Sequence, residues 1–186
     1  MQSNKTQPEV IPSINNMSTD WSAEMCIEIP YGSNVKYEIQ NGKLVCDRIL
    51  HTPMQYPFNY GYLTDTLADD GDNLDAVLLT PTQFVPKTHL KVKIIGALIT
   101  EDEKGQDEKI IVMPVEAIDP RYKEVNCLSD IASDVKEQIK FFFNYYKTLE
   151  KNKWIEVKDY VNRDQAYNIY QECLVKYQSQ QVSILP

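Results

Sequence analysis

LKVKIIGALIT (residues 90–100), EDEKGQDE (101–108) and KIIVMPV (109–115) follow one another without a break. The first segment opens with charged and apolar residues alternating at Lys91, Val92, Lys93 and Ile94, the two-residue period of a strand with one covered face. It continues as an apolar run over 94–99 that holds Gly96. That run is far shorter than the ~20 residues a membrane helix needs. The third segment, after Lys109, is apolar throughout and reads as a second strand. The spacing predicts two long strands answering each other across a polar, glycine-containing turn at 101–108.

The same grammar extends in both directions. Residues 25–29 read as a short strand ending at Pro30, and 76–79, after Leu74-Asp75, as a continuous apolar run. Residues 35–39 alternate, Asn41-Gly42 follows, and 44–50 form a second run. Asn-Gly between two such runs is a strong hairpin signal. Several short strands at this spacing predict a small barrel or sandwich. Beyond residue 128 the period changes. Apolar residues at 128, 131, 132, 135, 139, 142, 143, 146 and 149 form a helical stripe that Ser129 or Asp130 can cap. A second stripe runs through Ala166, Ile169, Tyr170, Cys173, Leu174 and Tyr177. Asn162 with Gln165 three residues later resembles a capping box. The expected picture is a five- or six-stranded barrel with two helices outside it. Residues 1–23, rich in Ser, Asn, Gln and Pro, read as an N-terminal tail, 24–178 as the single domain and 179–186 as a C-terminal tail.

The chain has 186 residues, with 19 Lys plus Arg against 27 Asp plus Glu, a net charge of −8. That balance argues against a general nucleic-acid binder, which needs a basic face. It also argues against an anionic substrate, unless a cation arrives with it. Cys26, Cys46, Cys127 and Cys173 contain no C-x-x-C pair and match no zinc spacing, so they read as free thiols. The first twenty residues lack the apolar stretch of a signal peptide and carry Glu9 and Asp20 but no Arg. The expected location is cytoplasmic, away from membranes.

The chemistry concentrates in DDGDNLD, residues 69–75. Asp70, Asp72 and Asp75 can converge where a turn, made feasible by Gly71, enters the strand that follows. Crowded carboxylates repel unless a cation lies between them. Their hard oxygens suit Mg²⁺, Mn²⁺ or Ca²⁺ rather than zinc. The calcium-binding helix-loop-helix pattern fails, because Leu74, Asp75 and Pro81 would fall at its fifth, sixth and twelfth positions. A solvated acidic turn is the plain rival. A second acidic turn, 101–108, could face the first, although a charged hairpin loop reads equally well. Lys36 and Glu38 share one side of a strand. Glu28 lies at a strand end, and Arg48 in an alternating strand after Asp47. The segment 56–62 is rich in phenols, and Tyr146-Lys147 ends the first helix stripe. A basic strand with aromatics could also serve a single-stranded nucleic acid on an OB-type barrel, but the interleaved acids spoil a track for phosphates.

Seven motifs stand in order: Glu28-Ile-Pro, Lys36-Tyr-Glu38, Asp47-Arg48, Tyr56-Pro-x-Asn-Tyr60-Gly, Asp70-Gly-Asp72-x-x-Asp75, Asp102-x-x-x-x-Asp107-x-Lys109 and Tyr146-Lys147-x-Leu-Glu150. Together they resemble soluble family I inorganic pyrophosphatase over about 24–175. The resemblance implies an α+β, mainly β fold: an OB-type five-stranded barrel with two flanking helices. It implies Mg²⁺-dependent hydrolysis of pyrophosphate to two phosphates by direct attack of a metal-activated water. Several Mg²⁺ ions would take part, with Mn²⁺ an alternative of similar hardness. By motif position Asp70, Asp75, Asp102 and Asp107 would ligate metal, and Glu28 and Glu38 would hold further metal. Asp72 would be the general base. Lys36, Arg48, Tyr60, Lys109, Tyr146 and Lys147 would grip the phosphates, with Tyr56 supporting them from behind.

Asn73 stands where the family usually has Pro, and Tyr145 where some members carry His. Glu101 beside Asp102 leaves open which acid binds metal. The length resembles the bacterial type, which commonly forms hexamers. His51 and His89 lie in no motif and read as structural or surface residues. Two other functions stay in view, a non-catalytic OB-type nucleic-acid-binding module and a hydrolase of nucleotides or polyphosphate. The candidate site sets seven acids against four bases, so part of the chain's acidity reads as a place for cations that would bring an anionic substrate with them.

Overall fold

The computed structural model describes residues 21–184. In chain order the elements are β1 (Ser22–Ile29), β2 (Val35–Gln40), β3 (Lys43–Ile49), β4 (Asn59–Leu63), β5 (Asp75–Leu78), β6 (His89–Asp102), β7 (Gly105–Gln106), β8 (Lys109–Pro114), α1 (Ser133–Tyr145), β9 (Ile155–Val161) and α2 (Arg163–Ile184). Short 3-10 turns at Pro120–Tyr122 and Leu128–Asp130 lie between β8 and α1.

The long pair read from 90–115 is the spine. β6 and β8 run antiparallel from Val92 opposite Pro114 to Leu98 opposite Lys109, with a register shift between Ile94 and Gly96. The expected turn is tighter than 101–108. β6 continues to Asp102, and Gly105 and Gln106 pair back onto Asp102 and Glu101. The sheet order β1-β4-β5-β8-β6, with β6 pairing again to β1, closes a five-stranded barrel of OB type. Its neighbours are antiparallel except β5 and β8, which run parallel. β9 extends the sheet beyond β6. β2 and β3 form a separate hairpin whose turn residues Asn41 (φ 49) and Gly42 (φ 72) are both left-handed, as a type I′ turn requires.

Every residue of β8 is buried, and they divide by the two-residue period. Ile110 and Val112 join Met25, Ile27, Leu63, Val92 and Ile94, a cluster that also takes Ala166, Tyr170 and Cys173 from α2. Ile111 and Met113 join Tyr56, Phe58, Ile95 and Leu98, and this second cluster takes Ile139, Phe142, Phe143 and Tyr146 from the α1 segment. Each fully buried large side chain contributes roughly 1.5–3 kcal/mol. The second cluster matters for function, because it fixes the rings of Tyr60 and Tyr146 and the end of α1.

The first helix starts later than its apolar stripe. Residues 128–130 form a 3-10 turn, and α1 begins at Ser133 after an uncapped Ala132. Asp130 is committed elsewhere, its carboxylate accepting from Asn126 N (2.8 Å) and Cys127 N (3.0 Å). At the other end Leu149 lies exposed, so the buried stripe narrows to Ile139, Phe142, Phe143 and Tyr146. At α2 the expected capping box is present: Gln165 N donates to Asn162 Oδ1 (3.0 Å) and Asn162 N to Gln165 Oε1 (3.3 Å). α2 continues to Ile184, so the segment read as a C-terminal tail is helical that far. Of the N-terminal tail, residues 1–20 lie outside the described residues. Ser22 and Ala23 are strand, opposite Lys93 and Val92. All four cysteines are free. No helix among the described residues is long and apolar enough to cross a membrane.

Candidate active site

One cleft of about 430 Å³ lies between the β2–β3 hairpin, the turn entering β5, the β6–β7 turn and the end of α1. All thirteen residues expected to touch metal or substrate line it: Glu28, Lys36, Glu38, Arg48, Tyr60, Asp70, Asp72, Asp75, Asp102, Asp107, Lys109, Tyr146 and Lys147. Tyr56 lies behind the wall, fully buried among Phe58, Tyr60, Phe142 and Tyr146. Neither histidine lines the cleft. His89 pairs with Glu24 on the surface (3.0 Å), and His51 is exposed.

The turn before β5 is held by uncharged groups. Gly71 sits at φ +90, and its N–H donates to Ala68 O (3.1 Å). Buried Thr66 donates its hydroxyl to Leu63 O (2.6 Å) and accepts from Leu74 N (2.9 Å). Asn73 Nδ2 donates to Thr66 O (2.8 Å), so Asn73 anchors the turn from its side chain. This scaffold presents Asp70 and Asp72 at the mouth, where Asp72 N donates to Asp70 Oδ1 (3.1 Å).

Deeper in, ammonium groups hold the acids. Lys109 is almost wholly buried at the start of β8, and its Nζ lies 2.5 Å from Asp75 Oδ2 and in contact with Asp107 Oδ1. Tyr60 Oη also donates to Asp75 Oδ2 (2.5 Å). Burial opposes the charge on Lys109, but Asp75 and Asp107 outweigh it and raise its pKa. Asp107 is pinned through its main chain, its N–H donating to Thr100 O (2.9 Å) and its carbonyl accepting from Thr100 Oγ1. Lys147 donates to Asp102 Oδ2 (2.8 Å) and lies 3.5 Å from Glu103. Burial works to raise the Asp102 carboxyl, yet the bonds from Lys147 and from Lys104 N (2.8 Å) hold it below the ordinary value. Glu101 turns away to Lys158 (2.5 Å) and does not line the cleft, so of the two adjacent acids Asp102 faces it.

The hairpin forms the remaining wall. Lys36 contacts Glu38 and lies 3.5 Å from Asp47, while Gln40 Nε2 donates to Glu38 Oε2 (3.0 Å). Burial pushes Glu38 up, but Lys36 and Gln40 overcome it and lower its pKa. Glu28 accepts from Ile39 N (2.8 Å), and burial pushes its carboxyl up to about 7. Arg48 contacts Asp47 and sets its Nε 2.8 Å from Glu150 Oε2, a carboxylate buried beneath it. Glu150 and Lys104 are the partners that reading the chain alone did not single out. Glu150 stood in a quoted motif without a role, and Lys104 belonged to a turn read for its acids.

The carboxylates of ten acidic residues line the cleft, the seven singled out above with Asp47, Glu103 and Glu108, and they are hard oxygen donors of the kind that divalent cations such as Mg²⁺ take. Among the described residues no three ligand side chains are gathered tightly enough to hold one ion as they stand. Lysine ammoniums lie against Asp70 and Asp72, Asp75 and Asp107, and Asp102.

Fold and cleft define a class: an OB-type barrel whose site offers oxygen donors to hard cations and ammonium, guanidinium and phenol groups to a polyanion. A family model described as inorganic pyrophosphatase matches residues 25–178. The chain therefore belongs to the inorganic pyrophosphatase family. It is 47% identical over 154 residues to an inorganic pyrophosphatase of Nanoarchaeum equitans, covering 83% of this chain and 96% of that one. The solved inorganic pyrophosphatase of Helicobacter pylori superposes with a TM-score of 0.83 at 39% identity, covering 84% of this chain and 94% of that one. The crystal structure of the Thermus thermophilus enzyme gives 0.83 at 36%, covering 87% and 94%. The nucleic-acid-binding alternative finds no support in these relatives.

Proposed function

We propose that this chain hydrolyses inorganic pyrophosphate to two phosphates, using divalent cations held by its carboxylates. The observation that carries the reading is the convergence of seven carboxylates with Lys36, Arg48, Lys109 and Lys147 on one cleft of a family member. When bound, divalent cations neutralise the polyanion and acidify a water. Asp70, Asp75, Asp102 and Asp107 would hold them, Glu28 and Glu38 would hold more, and Mg²⁺ is the ion that suits the donors best.

The chain's own groups then divide the work. Asp72, exposed at the mouth, accepts the proton of the attacking water as its oxygen bonds to phosphorus and the bridging P–O bond breaks. Lys36, Arg48 and Lys147 neutralise charge on the departing phosphate, where it grows in the transition state. Lys109 lies beneath, tying Asp75 to Asp107 and facing the same phosphates. Tyr60 and Tyr146 donate hydrogen bonds without adding charge, and Tyr56 backs them within the aromatic cluster. Glu150 fixes the guanidinium of Arg48. Four free thiols support a reducing, cytoplasmic location. The resemblance to the bacterial type supports a homohexamer, which sedimentation velocity would check.

Phosphate release from pyrophosphate, measured with Mg²⁺ and with EDTA, tests the reading. Release that ignores EDTA, or no release from folded protein, would sink it. Turnover of ATP equal to that of pyrophosphate would move the substrate to nucleotides. Asp72→Asn should lower kcat by ~10²–10⁴ as a lost general base; a fully active variant would remove that role.

A further inference from the structure

Four ammonium groups touch the acids of the cleft, those of Lys36, Lys104, Lys109 and Lys147, and they are not equivalent. The side chains of Lys109 and Lys147 are 3% and 6% exposed, whereas that of Lys104 is 58% exposed. Lys104 sits in the two-residue turn between β6 and β7. Its backbone N–H is fixed on Asp102, but its side chain reaches across the mouth to the opposite turn. There its Nζ lies 3.4 Å from Asp70 Oδ2 and 3.1 Å from Asp72 Oδ2. A single positive charge thus bridges Asp70 and Asp72 across the mouth of the cleft. It occupies the space a cation entering from solvent would need.

We propose that Lys104 is an internal counterion that divalent metal must displace. It sets how much free metal the enzyme needs before Asp70 is loaded and Asp72 is freed to act as base. The inference rests on the reading that this cleft holds divalent cations. The physical basis is competition. Crowded carboxylates gain from any cation between them, so an ammonium already bridging Asp70 and Asp72 subtracts from the gain a metal ion makes there. The ammonium can yield because it is exposed and carried on a flexible four-carbon stem, while Lys109 and Lys147 are enclosed by protein and stay with their acids. Once displaced, Lys104 remains at the entrance through which the substrate arrives.

The test is calorimetric titration of Mn²⁺ into substrate-free, chelator-treated enzyme. The variants are Lys104→Met, Lys104→Arg and, as a control, Lys153→Met, which removes a lysine that lines the same cleft but pairs with none of its acids. Lys104→Met should bind Mn²⁺ about three- to tenfold more tightly than the unaltered protein, the scale of releasing exposed ion pairs on two carboxylates. Lys104→Arg should stay near the unaltered value. The Mg²⁺ concentration for half-maximal phosphate release should fall by a similar factor in Lys104→Met.

Equal or weaker Mn²⁺ binding by Lys104→Met overturns the proposal while leaving the metal reading intact. So does an equal tightening in Lys153→Met, which would make the effect one of general charge. Failure of the unaltered protein to bind Mn²⁺ at all overturns both readings together.

Discussion

The two acidic turns across the cleft are held in place by opposite means. The turn before β5 keeps its shape through neutral hydrogen bonds: Thr66 to Leu63 and Leu74, Asn73 to Thr66, Gly71 to Ala68. Its acids Asp70 and Asp72 take no part in that scaffold beyond one local bond, so they are free to exchange one cation for another. On the far side the order is reversed. Asp102 and Asp107 are themselves the scaffold, locked to buried Lys147 and Lys109, and Lys109 reaches across to Asp75 at the start of β5. A site that must both stay assembled without metal and accept metal can hold its deep acids in place with buried ammoniums and cover its mouth with an exposed one. The deep pairs keep the shape, and the mouth pair supplies the vacancy.

The contrast can be broken from the charged side first. Lys109→Met leaves Asp75 and Asp107, half-buried in the cleft wall, without the shared counterion buried beneath them. It should cost about 3–5 kcal/mol in the urea unfolding of the metal-free protein, the usual scale for breaking a buried ion pair. An unchanged midpoint would mean that those carboxylates are not structural. Next comes Glu28, on the hairpin wall. Its carboxyl is raised from 4.5 to about 7, so the folded chain keeps a proton that the unfolded chain releases. The stability this group contributes is complete below about pH 4.5 and is lost as pH rises through 7. Unfolding in EDTA should therefore show a decline on the order of 2 kcal/mol across that window, and Glu28→Gln should flatten it.

On the neutral side the effects are smaller. Thr66→Val strands the buried Leu74 N–H and should cost about 1–3 kcal/mol, lowering Tm by roughly 2–4 °C per kcal/mol. Asn73→Ala removes one hydrogen bond from the same turn and should cost about 1 kcal/mol, with metal affinity measured alongside to show whether the mouth carboxylates have shifted.

What the chain disclosed by itself follows the same divide. Spacing exposed Asp70, Asp72 and Asp75, the hairpin around Asn41-Gly42 and the β6–β8 pair, because each is written within a few neighbouring residues. β4 went unread because its five residues, Asn-Tyr-Gly-Tyr-Leu, look like a phenolic motif rather than an alternating strand. β9 has alternating Ile155 and Val157, but the alternation breaks at Asp159-Tyr160-Val161, and the short edge strand lies between two helical stripes. The apolar period of α1 runs ahead of the helix itself, because it continues backward through a 3-10 turn whose Asp130 caps other residues. Which lysine meets which acid was illegible for a different reason. Lys104 and Asp72 lie 32 residues apart, and only closure of the barrel decides that they touch.

The parallel pairing of β5 with β8 gives that closure a kinetic meaning. Asp75 and Lys109 stand at the starts of these two strands, 34 residues apart, and become neighbours only after β6 has crossed between them. Parallel contacts of this span are entropically late in folding, since a long loop must close before the contact repays it. The catalytic cleft is therefore among the last parts of the molecule to form. Recovery of pyrophosphate hydrolysis during refolding should lag behind recovery of secondary structure and report when the barrel shuts.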